Sequence, residues 1–390
     1  MAHGETSGAQ SVLVQADGKV VAAGGTQRSD LERFALVRYG AHGRLDATFG
    51  GDGKVTTRFR ARRCVLASAV ALQADGNVVA AGSAGCRGTF ALARYEQNGR
   101  LDTTFGGDGR VTTRFRSGHH YSAAFGMAIQ ADGKIVAAGV CCNSRFFALA
   151  RYKPNGSLDS TFGGDGKVTT DFTRATDMAF DVAVQPDGRI VVAGVAARGS
   201  DAARFALARY KPNGRLDGSF GGDGKVTSRP SDCISEAHSV TVQPDGRIVA
   251  AGSAGCIDQL TVARYKVNGR PDGSFGGDGS IITSFGCPQS EANAVAVQPD
   301  GEIVASGYVA CAGTSDVEFG FASARYDTDG SLDGSFGSGG VVTTKVWDPG
   351  CYQASEGVAI QVDGNILAAG GYNCGTARHT RFTLIRYLGG

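Results

Sequence analysis

The sequence has 390 residues, with 39 lysines and arginines against 37 aspartates and glutamates, which gives a formal net charge of +2. This balance gives no reason to expect a nucleic-acid partner or general binding to a membrane surface, and no stretch reaches the roughly 18 apolar residues of a membrane-spanning helix. The 60 glycines follow no collagen-like period and therefore indicate many tight turns.

The first recurring element is an apolar strand, strand A, that ends in the motif Gln-x-Asp-Gly. In the first copy strand A is predicted from Ser11 to Val14 and in the fourth from Val182 to Val184. An Asp-Gly pair between two β-rich runs predicts a two-residue hairpin turn of type I′. The motif occurs seven times, at Gln15, Gln73, Gln130, Gln185, Gln243, Gln298 and Gln361.

Three further strands follow each turn. Strand B is rich in small residues, as in Val20 to Gly24, and strand C ends in Arg-Tyr in all seven copies. A glycine-rich connection such as Leu45 to Gly53 then leads to strand D, for example Lys54 to Thr57. Four short strands per unit, no helical period and seven units predict an all-β protein, a seven-bladed β-propeller built from seven repeats of about 55–60 residues. We interpret the recurring Arg, Asp and Gln as scaffold, since an active site is normally built once.

The repeat resembles the delta-60 repeat family of bacterial β-propeller proteins. The resemblance is carried by the Gln-x-Asp-Gly turn, the Arg-Tyr strand end, and Leu-Asp before Phe-Gly-Gly-Asp-Gly, and it extends from about Gln10 to Tyr387. It implies a propeller in a secreted or envelope protein and implies no activity and no catalytic residues.

We expect one propeller domain over residues 1–390. Its blades are expected at approximately 10–59, 60–116, 117–173, 174–229, 230–285, 286–346 and 347–390. Strand D is found only six times, so the last blade is expected to lack its outer strand. Either the ring closes by face packing alone, or the sequence is a piece of a longer chain.

Eight of the ten cysteines fall into four pairs that are in register with the repeat. In each pair one Cys precedes strand A and the other follows strand B, within one to three residues of direct opposition across the hairpin. Facing residues lie within reach of a disulfide, whereas zinc binding would call for a Cys-x-x-Cys pattern. The predicted disulfides are Cys64–Cys86, Cys233–Cys256, Cys287–Cys311 and Cys351–Cys374.

Cys141 and Cys142 depart from this scheme because no Cys faces them. A vicinal disulfide, two free thiols and an intermolecular bridge all remain open. The four predicted disulfides imply an oxidising compartment, so the protein is expected to be secreted, periplasmic or on the cell surface. The first ten residues contain no signal peptide.

The connections form two sets. The A–B turns and C–D connections are nearly identical between repeats, whereas the D–A and B–C loops vary. Because successive strands of a meander run in opposite directions, the two sets lie on opposite faces of the ring. Any unique site is therefore expected on the variable face, around the central channel.

One position of strand A, five residues before each Gln, varies from repeat to repeat. We expect it to begin strand A and to line the channel mouth. Its variety fits a ring-shaped pocket and fits neutral drift on an exposed rim equally well. From blade 1 to blade 7 it reads Gln10, Ser68, Phe125, Phe180, His238, Asn293 and Glu356.

A first hypothesis is a binding or scaffold module whose ligand lies on the variable face. Arginines suit carboxylate or sulfate groups through paired hydrogen bonds, and aromatic rings stack on sugars. The ligand would be an anionic glycan, another small molecule or a protein. The protein itself is expected to be a monomer. The alternative interpretation is that these arginines only form a solvated edge of the ring. The candidate binding residues are Arg60, Arg62, Arg63, Arg116, Tyr121, Phe125, Phe180, Asn293, Trp347 and Tyr372.

A second hypothesis is a propeller enzyme, a metal-assisted lyase or hydrolase. His238 would act as acid or base, and Glu236, Glu291 and Glu356 would lie around it from adjacent blades. Glutamate oxygens suit a divalent cation such as Mg²⁺ or Ca²⁺. A third candidate is a metal site for copper or a similar ion at His119 and His120, near Cys141 and Cys142.

Overall fold

The computed structural model describes residues 5–28, 31–61, 63–115, 121–198, 203–312, 317–346, 351–373 and 381–389. Within these ranges the chain forms 27 strands in seven antiparallel sheets, and there is no helix. Blade 1 contains β1 (Glu5–Val14), β2 (Val20–Arg28), β3 (Leu31–Tyr39) and β4 (Lys54–Thr57). Blade 2 contains β5 (Val65–Leu72), β6 (Val78–Ala84), β7 (Phe90–Tyr95) and β8 (Arg110–Thr113). Blade 3 contains β9 (Ala123–Ile129), β10 (Ile135–Cys141), β11 (Phe146–Tyr152) and β12 (Lys167–Thr170).

The remaining blades repeat this order. Blade 4 contains β13 (Thr176–Val184), β14 (Ile190–Ala197), β15 (Arg204–Tyr210) and β16 (Lys225–Ser228). Blade 5 contains β17 (Ser235–Val242), β18 (Ile248–Ala254), β19 (Gln259–Tyr265) and β20 (Ser280–Ile282). Blade 6 contains β21 (Gln289–Val297), β22 (Ile303–Ala312), β23 (Val317–Tyr326) and β24 (Val341–Thr344). Blade 7 contains only β25 (Tyr352–Ile360), β26 (Ile366–Asn373) and β27 (Phe382–Tyr387).

The seven-bladed propeller predicted from the sequence is confirmed, including the three-stranded last blade. Each sheet is a meander in the order A-B-C-D, and the A strands of neighbouring blades contact one another around the centre. The ring closes because β1 of blade 1 packs against β25 and β26 of blade 7. The apolar core lies between blades, where Val and Ala of strand B meet the aromatic residues of the adjacent blade.

The A–B turns are not the predicted two-residue turns. In blade 1 the amide of Gly18 donates to the carbonyl of Gln15, and the amide of Gln15 donates to Lys19. Only the glycine has a positive φ, 77° at Gly18. The loop is therefore a three-residue one, a type I turn followed by a left-handed glycine. The side chain of Asp17 stabilises it by accepting from the amide of Lys19 at 3.2 Å.

The recurring Arg, Asp, Phe and Tyr join the blades, as the scaffold interpretation predicts. Arg151 of blade 3 donates to Asp159 at 3.0 Å, lies 4.7 Å from the ring centre of Phe162 and donates to the carbonyl of Pro212 in blade 4. In the opposite direction, the hydroxyl of Tyr152 bonds to Thr113 of blade 2 at 2.9 Å. The same contacts recur around the ring, and Arg386 of blade 7 donates to the carbonyl of Ala41 in blade 1.

Every strand A contains a β-bulge. In blade 5 the register shifts between Ala237 and Ser239, so that His238 is the extra residue. A glycine of strand B always lies opposite, and a Cβ on Gly252 would be 1.8 Å from the carbonyl oxygen of Glu236. The bulge therefore requires a residue without a side chain at this place. The other glycines in this position are Gly24, Gly82, Gly139, Gly194, Gly307 and Gly370.

Candidate functional site

The bulged residues are the same seven variable positions that the sequence singles out. They do not begin strand A as predicted, because the strands extend further: β1 already begins at Glu5, five residues before Gln10. All seven are half-buried, and several contact their counterparts in the next blade. The rings of Phe125 and Phe180 are 5.9 Å apart, and those of Phe180 and His238 are 5.1 Å apart. The bulges thus bring the variable residues of adjacent blades together.

On the acidic side of this ring, His238 is held between two glutamates. Its Nδ1 lies 2.7 Å from Oε1 of Glu291, and its Nε2 lies 3.4 Å from Oε2 of Glu236. Burial alone would lower the pKa of His238, but these two carboxylates outweigh burial and raise it to about 10. The hydroxyl of Tyr308 donates to Glu291 at 3.1 Å. Burial would raise the pKa of Glu291, but its bonds with His238 and Tyr308 lower it, so this carboxyl group is ionised.

Glu356 has the opposite environment. Burial raises its pKa to about 7, and the negative charge of Glu291 adds to the rise. Glu356 lines a cavity of about 380 Å³, the channel-mouth cavity, together with Tyr352 and Tyr372 from blade 7. The rings of Tyr308 and Tyr352 lie 5.6 Å apart, so the cavity adjoins the Glu291 network. A carboxyl group at the edge of a cavity, with a pKa raised to about 7 and an ionised carboxylate near it, is an arrangement suited to acid–base chemistry.

The structure thus brings the four predicted catalytic residues to one place, but it does not arrange them around a metal. Within the described residues no group of three or more His, Cys, Asp or Glu could hold a metal ion. The physical reason is that His238 turns its two ring nitrogens toward Glu291 and Glu236 rather than toward a shared point. The copper candidates His119 and His120 lie outside the described residues.

A second cavity, of about 1040 Å³, lies against blade 2 and is lined by four arginines. We call it the arginine cavity. The loop into blade 2 contributes Arg60, the B–C loop of blade 2 contributes Arg87, strand D contributes Arg110, and the residue directly after strand D is Arg114. The one acidic residue in the wall is Asp108, which Arg110 already engages at 2.8 Å. Within the part of the chain that the structure describes, neither Arg60 nor Arg114 forms a salt bridge.

The other predicted binding residues do not converge on one cavity. Tyr121 lies beside the arginine cavity, because a Cβ on the lining residue Gly88 would be 2.9 Å from its ring. Asn293 is the bulged residue of blade 6, and its amide donates to the carbonyl of Ser355 at 3.0 Å. Arg63 is exposed and lies outside both cavity walls. Arg62, Arg116 and Trp347 lie outside the described residues.

A family model described as "Domain of unknown function (DUF5122) beta-propeller" matches residues 15–49, 73–105, 130–162, 185–220, 243–275 and 298–336, together more than half of the chain. The chain belongs to the DUF5122 β-propeller family. The matched segments run from the Gln of the A–B turn to the Phe of the C–D connection. The D–A loops fall between the matched segments, whereas the B–C loops lie within them.

No curated protein sequence matches this DUF5122 propeller. Among solved structures, it is similar to Sqt1 from Chaetomium thermophilum, with 12% identity, a TM-score of 0.50 and coverage of 98% of this chain and 95% of that chain. A protein of unknown function from Dyadobacter fermentans has 12% identity, a TM-score of 0.47 and coverage of 98% and 95%. An ulvan lyase of polysaccharide lyase family PL25 has 10% identity, a TM-score of 0.46 and coverage of 100% and 96%. Such distant likeness shows the fold alone.

Three of the predicted disulfides are formed in this DUF5122 propeller: Cys64–Cys86, Cys233–Cys256 and Cys287–Cys311, with Cα–Cα distances of 4.9, 5.1 and 4.6 Å. Cys351 is also disulfide-bonded, and its predicted partner Cys374 lies outside the described residues. Each bridge joins the ends of a hairpin on the variable face and fixes the loops there. Among the described residues no helix is long and apolar enough to cross a membrane.

Cys141 and Cys142 are both buried in the core between blades 2 and 3. Their sulfur atoms are 2.9 Å apart, which is a contact and not a covalent bond. Cys142, Asn143 and Ser144 all have left-handed backbone conformations, with φ values near 61°. This tight turn holds the two sulfur atoms side by side.

Tyr308 was missed by the sequence reasoning, and so was Asp258. The pKa of Asp258 is raised by burial and by the charges of Glu291 and Glu236, which places it in the same acidic cluster. Tyr308 directly follows the strand-B glycine Gly307, and Asp258 lies in the B–C loop of blade 5. The sequence does contain one signal for this cluster, the strand-B glycine. This glycine marks the position of the bulge in strand A, and the residues next to the bulge are the ones that meet near the channel.

Proposed function

We propose that the protein is a secreted or envelope glycan-binding propeller that holds an acidic glycan in the arginine cavity. The observation that supports this most is the wall itself, four arginines against a single aspartate. Guanidinium groups bind carboxylate and sulfate through paired, charge-assisted hydrogen bonds. Because Arg110 already forms a salt bridge with Asp108, Arg60 and Arg114 are the groups proposed to bind the ligand.

The surroundings of the cavity suit a sugar as well as an anion. Phe115 in the wall packs on Phe90 with 4.8 Å between ring centres, and Tyr121 lies close by. Aromatic rings present flat apolar faces of the kind that stack on a pyranose. The disulfides support a location in an oxidising compartment, where extracellular glycans occur. Assignment to the delta-60 repeat family stays a prediction from the repeat motif.

The test is the double variant Arg60→Ala with Arg114→Ala, assayed by calorimetry against sulfated and uronic-acid oligosaccharides. Each lost charge-assisted hydrogen bond is worth roughly 1.5–3 kcal/mol, so affinity should fall at least about tenfold. The matched control is Arg100→Ala with Arg215→Ala, which removes the same charge from exposed residues of the C–D connections on the opposite face. Equal affinity of both double variants for every anionic ligand that the wild-type protein binds would contradict the proposal.

A second candidate function is acid-catalysed glycoside hydrolysis at the channel mouth. It is favoured by the contrast between Glu356, whose pKa is raised to about 7, and the ionised Glu291 beside it. In this proposal Glu356 donates a proton to the leaving oxygen as the glycosidic bond breaks, and Glu291 supports the positive charge that develops on the sugar ring. A water molecule then attacks the anomeric carbon and gives a proton to the Glu356 carboxylate, which restores the acid. His238 holds Glu291 in place and is a positioning residue.

Glu356→Gln keeps the size of this side chain but cannot donate the proton. Hydrolysis of a panel of chromogenic glycosides should therefore fall at least about a hundredfold relative to wild type. Glu96→Gln, an exposed glutamate of the opposite face, is the control and should leave the rate unchanged. A rate for Glu356→Gln within twofold of the control would exclude Glu356 as the acid.

A further inference from the structure

The wall of the channel-mouth cavity contains two acidic side chains and, among the described residues that form it, no lysine, arginine or histidine. Glu356 comes from strand A of blade 7 (β25), and Glu32 comes from strand C of blade 1 (β3). The net charge of the whole chain is +2, so this negative wall is a local feature. On charge alone, the cavity attracts a cation and repels an anion.

Neither of these carboxyl groups has a cationic partner among the described residues. Glu32 accepts a hydrogen bond from the amide of Val65 at 3.0 Å, and Glu356 forms no salt bridge within the same part of the chain. Burying an acidic group without an opposite charge costs free energy, and burial raises the pKa of Glu356 to about 7. Acidic groups in this state in the wall of a cavity favour a ligand that supplies the missing positive charge.

His238 does not supply that charge. Its two ring nitrogens lie 2.7 Å from Oε1 of Glu291 and 3.4 Å from Oε2 of Glu236, so its own hydrogen bonds are already used. The charge of His238 lowers the pKa of Glu356, but burial and then the charge of Glu291 outweigh this effect. A cation inside the cavity would therefore be the first group to neutralise Glu356.

Two tyrosines give the same cavity an aromatic wall. The ring of Tyr352 packs against Tyr308 at 5.6 Å and against Phe319 at 5.1 Å between ring centres, so blade 6 fixes its position. Tyr352 nevertheless keeps 40% of its surface exposed, whereas Tyr372 is buried. Aromatic rings attract organic cations through their faces and also pack on the carbon skeleton of such ligands.

The wall suits an organic ammonium ion better than a metal ion. A Ca²⁺ ion needs about six to eight oxygen ligands, and the described residues contain no group of three or more His, Cys, Asp or Glu that could hold a metal. An ammonium group needs only a few acceptors, and the carbon atoms attached to it can lie against Val65 and Leu66 in the wall. The volume of about 380 Å³ is within the range of small-molecule sites, roughly 300–1,000 Å³.

We propose that the channel-mouth cavity binds a small organic molecule through a protonated primary amine. The ammonium group pairs with Glu32 and Glu356, and the carbon skeleton packs on Tyr352 and Tyr372. The molecule is an amino sugar or an aliphatic amine, since both carry the same ammonium group. The proposal rests on the second candidate function only for the choice of cavity, whose ligand class it names, and it concerns binding and not hydrolysis.

The test is titration calorimetry of the full chain at low ionic strength with two matched pairs of probes. Glucosamine is compared with glucose, which has a hydroxyl group in place of the ammonium group, and putrescine is compared with butanediol. With the amines protonated, at least one of them should bind at least about tenfold more tightly than its neutral counterpart, which cannot form the charged hydrogen bonds. Tighter binding of glucosamine assigns the site to an amino sugar, and tighter binding of putrescine assigns it to an aliphatic amine.

Single substitutions locate the site. Glu32→Gln keeps an oxygen that can accept from the amide of Val65, and Glu356→Gln removes a buried charge, so both variants should fold. Each should weaken binding of the amine at least about tenfold and leave binding of the neutral probe unchanged. The matched control is Glu96→Gln, which removes an exposed carboxylate on the opposite face and should have no effect.

The proposal is overturned if neither amine binds more tightly than its neutral counterpart, or if either Glu32→Gln or Glu356→Gln binds the amine as the wild-type protein does. Neither amine contains a glycosidic bond, so these titrations do not depend on hydrolysis. A wild-type protein that hydrolyses no chromogenic glycoside but binds an amine in this way would refute the second candidate function and support the proposal made here.

Discussion

Substitution of Gly252 by alanine tests the feature that positions the channel-mouth residues. The added Cβ would lie 1.8 Å from the carbonyl oxygen of Glu236, which is part of the backbone and cannot rotate away. The bulge at His238 must then move or straighten. Forced contacts of this kind in a packed interior cost about 3 kcal/mol, and replacing glycine by alanine returns up to about 1 kcal/mol by restricting the unfolded chain. The net loss in the free energy of unfolding is therefore about 2 kcal/mol.

Equilibrium unfolding in guanidinium chloride, followed by circular dichroism with the disulfides intact, measures this loss. The matched control is Gly8→Ala, also in a strand of the ring, where the added Cβ meets no atom within 4 Å. It should leave the free energy of unfolding unchanged or raise it slightly. A loss below about 0.5 kcal/mol for Gly252→Ala would refute the argument that the bulge requires glycine.

Three further predictions follow from buried groups. The pKa of Glu356 is raised from 4.5 to about 7, so between these pH values the folded state binds a proton that the unfolded state has lost. The free energy of unfolding should therefore fall as the pH rises from 4.5 to 7. In urea titrations at several pH values, Glu356→Gln should reduce this fall. Asp159→Ala leaves the buried Arg151 without its carboxylate and should cost about 3–5 kcal/mol in chemical unfolding. Cys141 and Cys142 should react with a thiol reagent only after unfolding, which mass spectrometry would detect as two added labels.

Each of these three predictions has its own control or contradicting outcome. Asp165→Ala removes an exposed carboxylate of the same blade, paired with Lys167, and should cost less than about 1 kcal/mol. A pH profile that stays parallel for wild type and Glu356→Gln would show that Glu356 titrates as in the unfolded chain. Failure of both buried cysteines to react in the unfolded protein under non-reducing conditions would show that they form a vicinal disulfide.

The sequence was sufficient for the fold because the scaffold residues repeat. Seven Arg-Tyr strand ends and six glycine-rich connections predicted seven blades and a last blade without its outer strand, and the structure has both. The cysteine pairs were slightly out of register with the predicted hairpins. The structure explains the offset, because each A–B loop has three residues rather than two and each strand A carries a bulge.

The candidate site was less predictable because its contacts cross between blades. The contact between His238 and Glu291 depends on the bulge in β17 and on the packing of blade 6 beside blade 5. Neither feature produces a periodic pattern in the sequence. The charge on the variable face was visible as a run of arginines, but the cavity was not. Arg110 belongs to the repeated strand D, and it reaches this cavity through a bond to the carbonyl of Arg58 in the preceding blade.

The most direct test of the glycan-binding account is a crystal structure of the protein with a sulfated oligosaccharide. The account predicts ligand density in the arginine cavity, with sulfate oxygens within hydrogen-bond distance of the guanidinium groups of Arg60 and Arg114. Density confined to the opposite face of the ring, or no bound ligand at concentrations that saturate binding in solution, would contradict it.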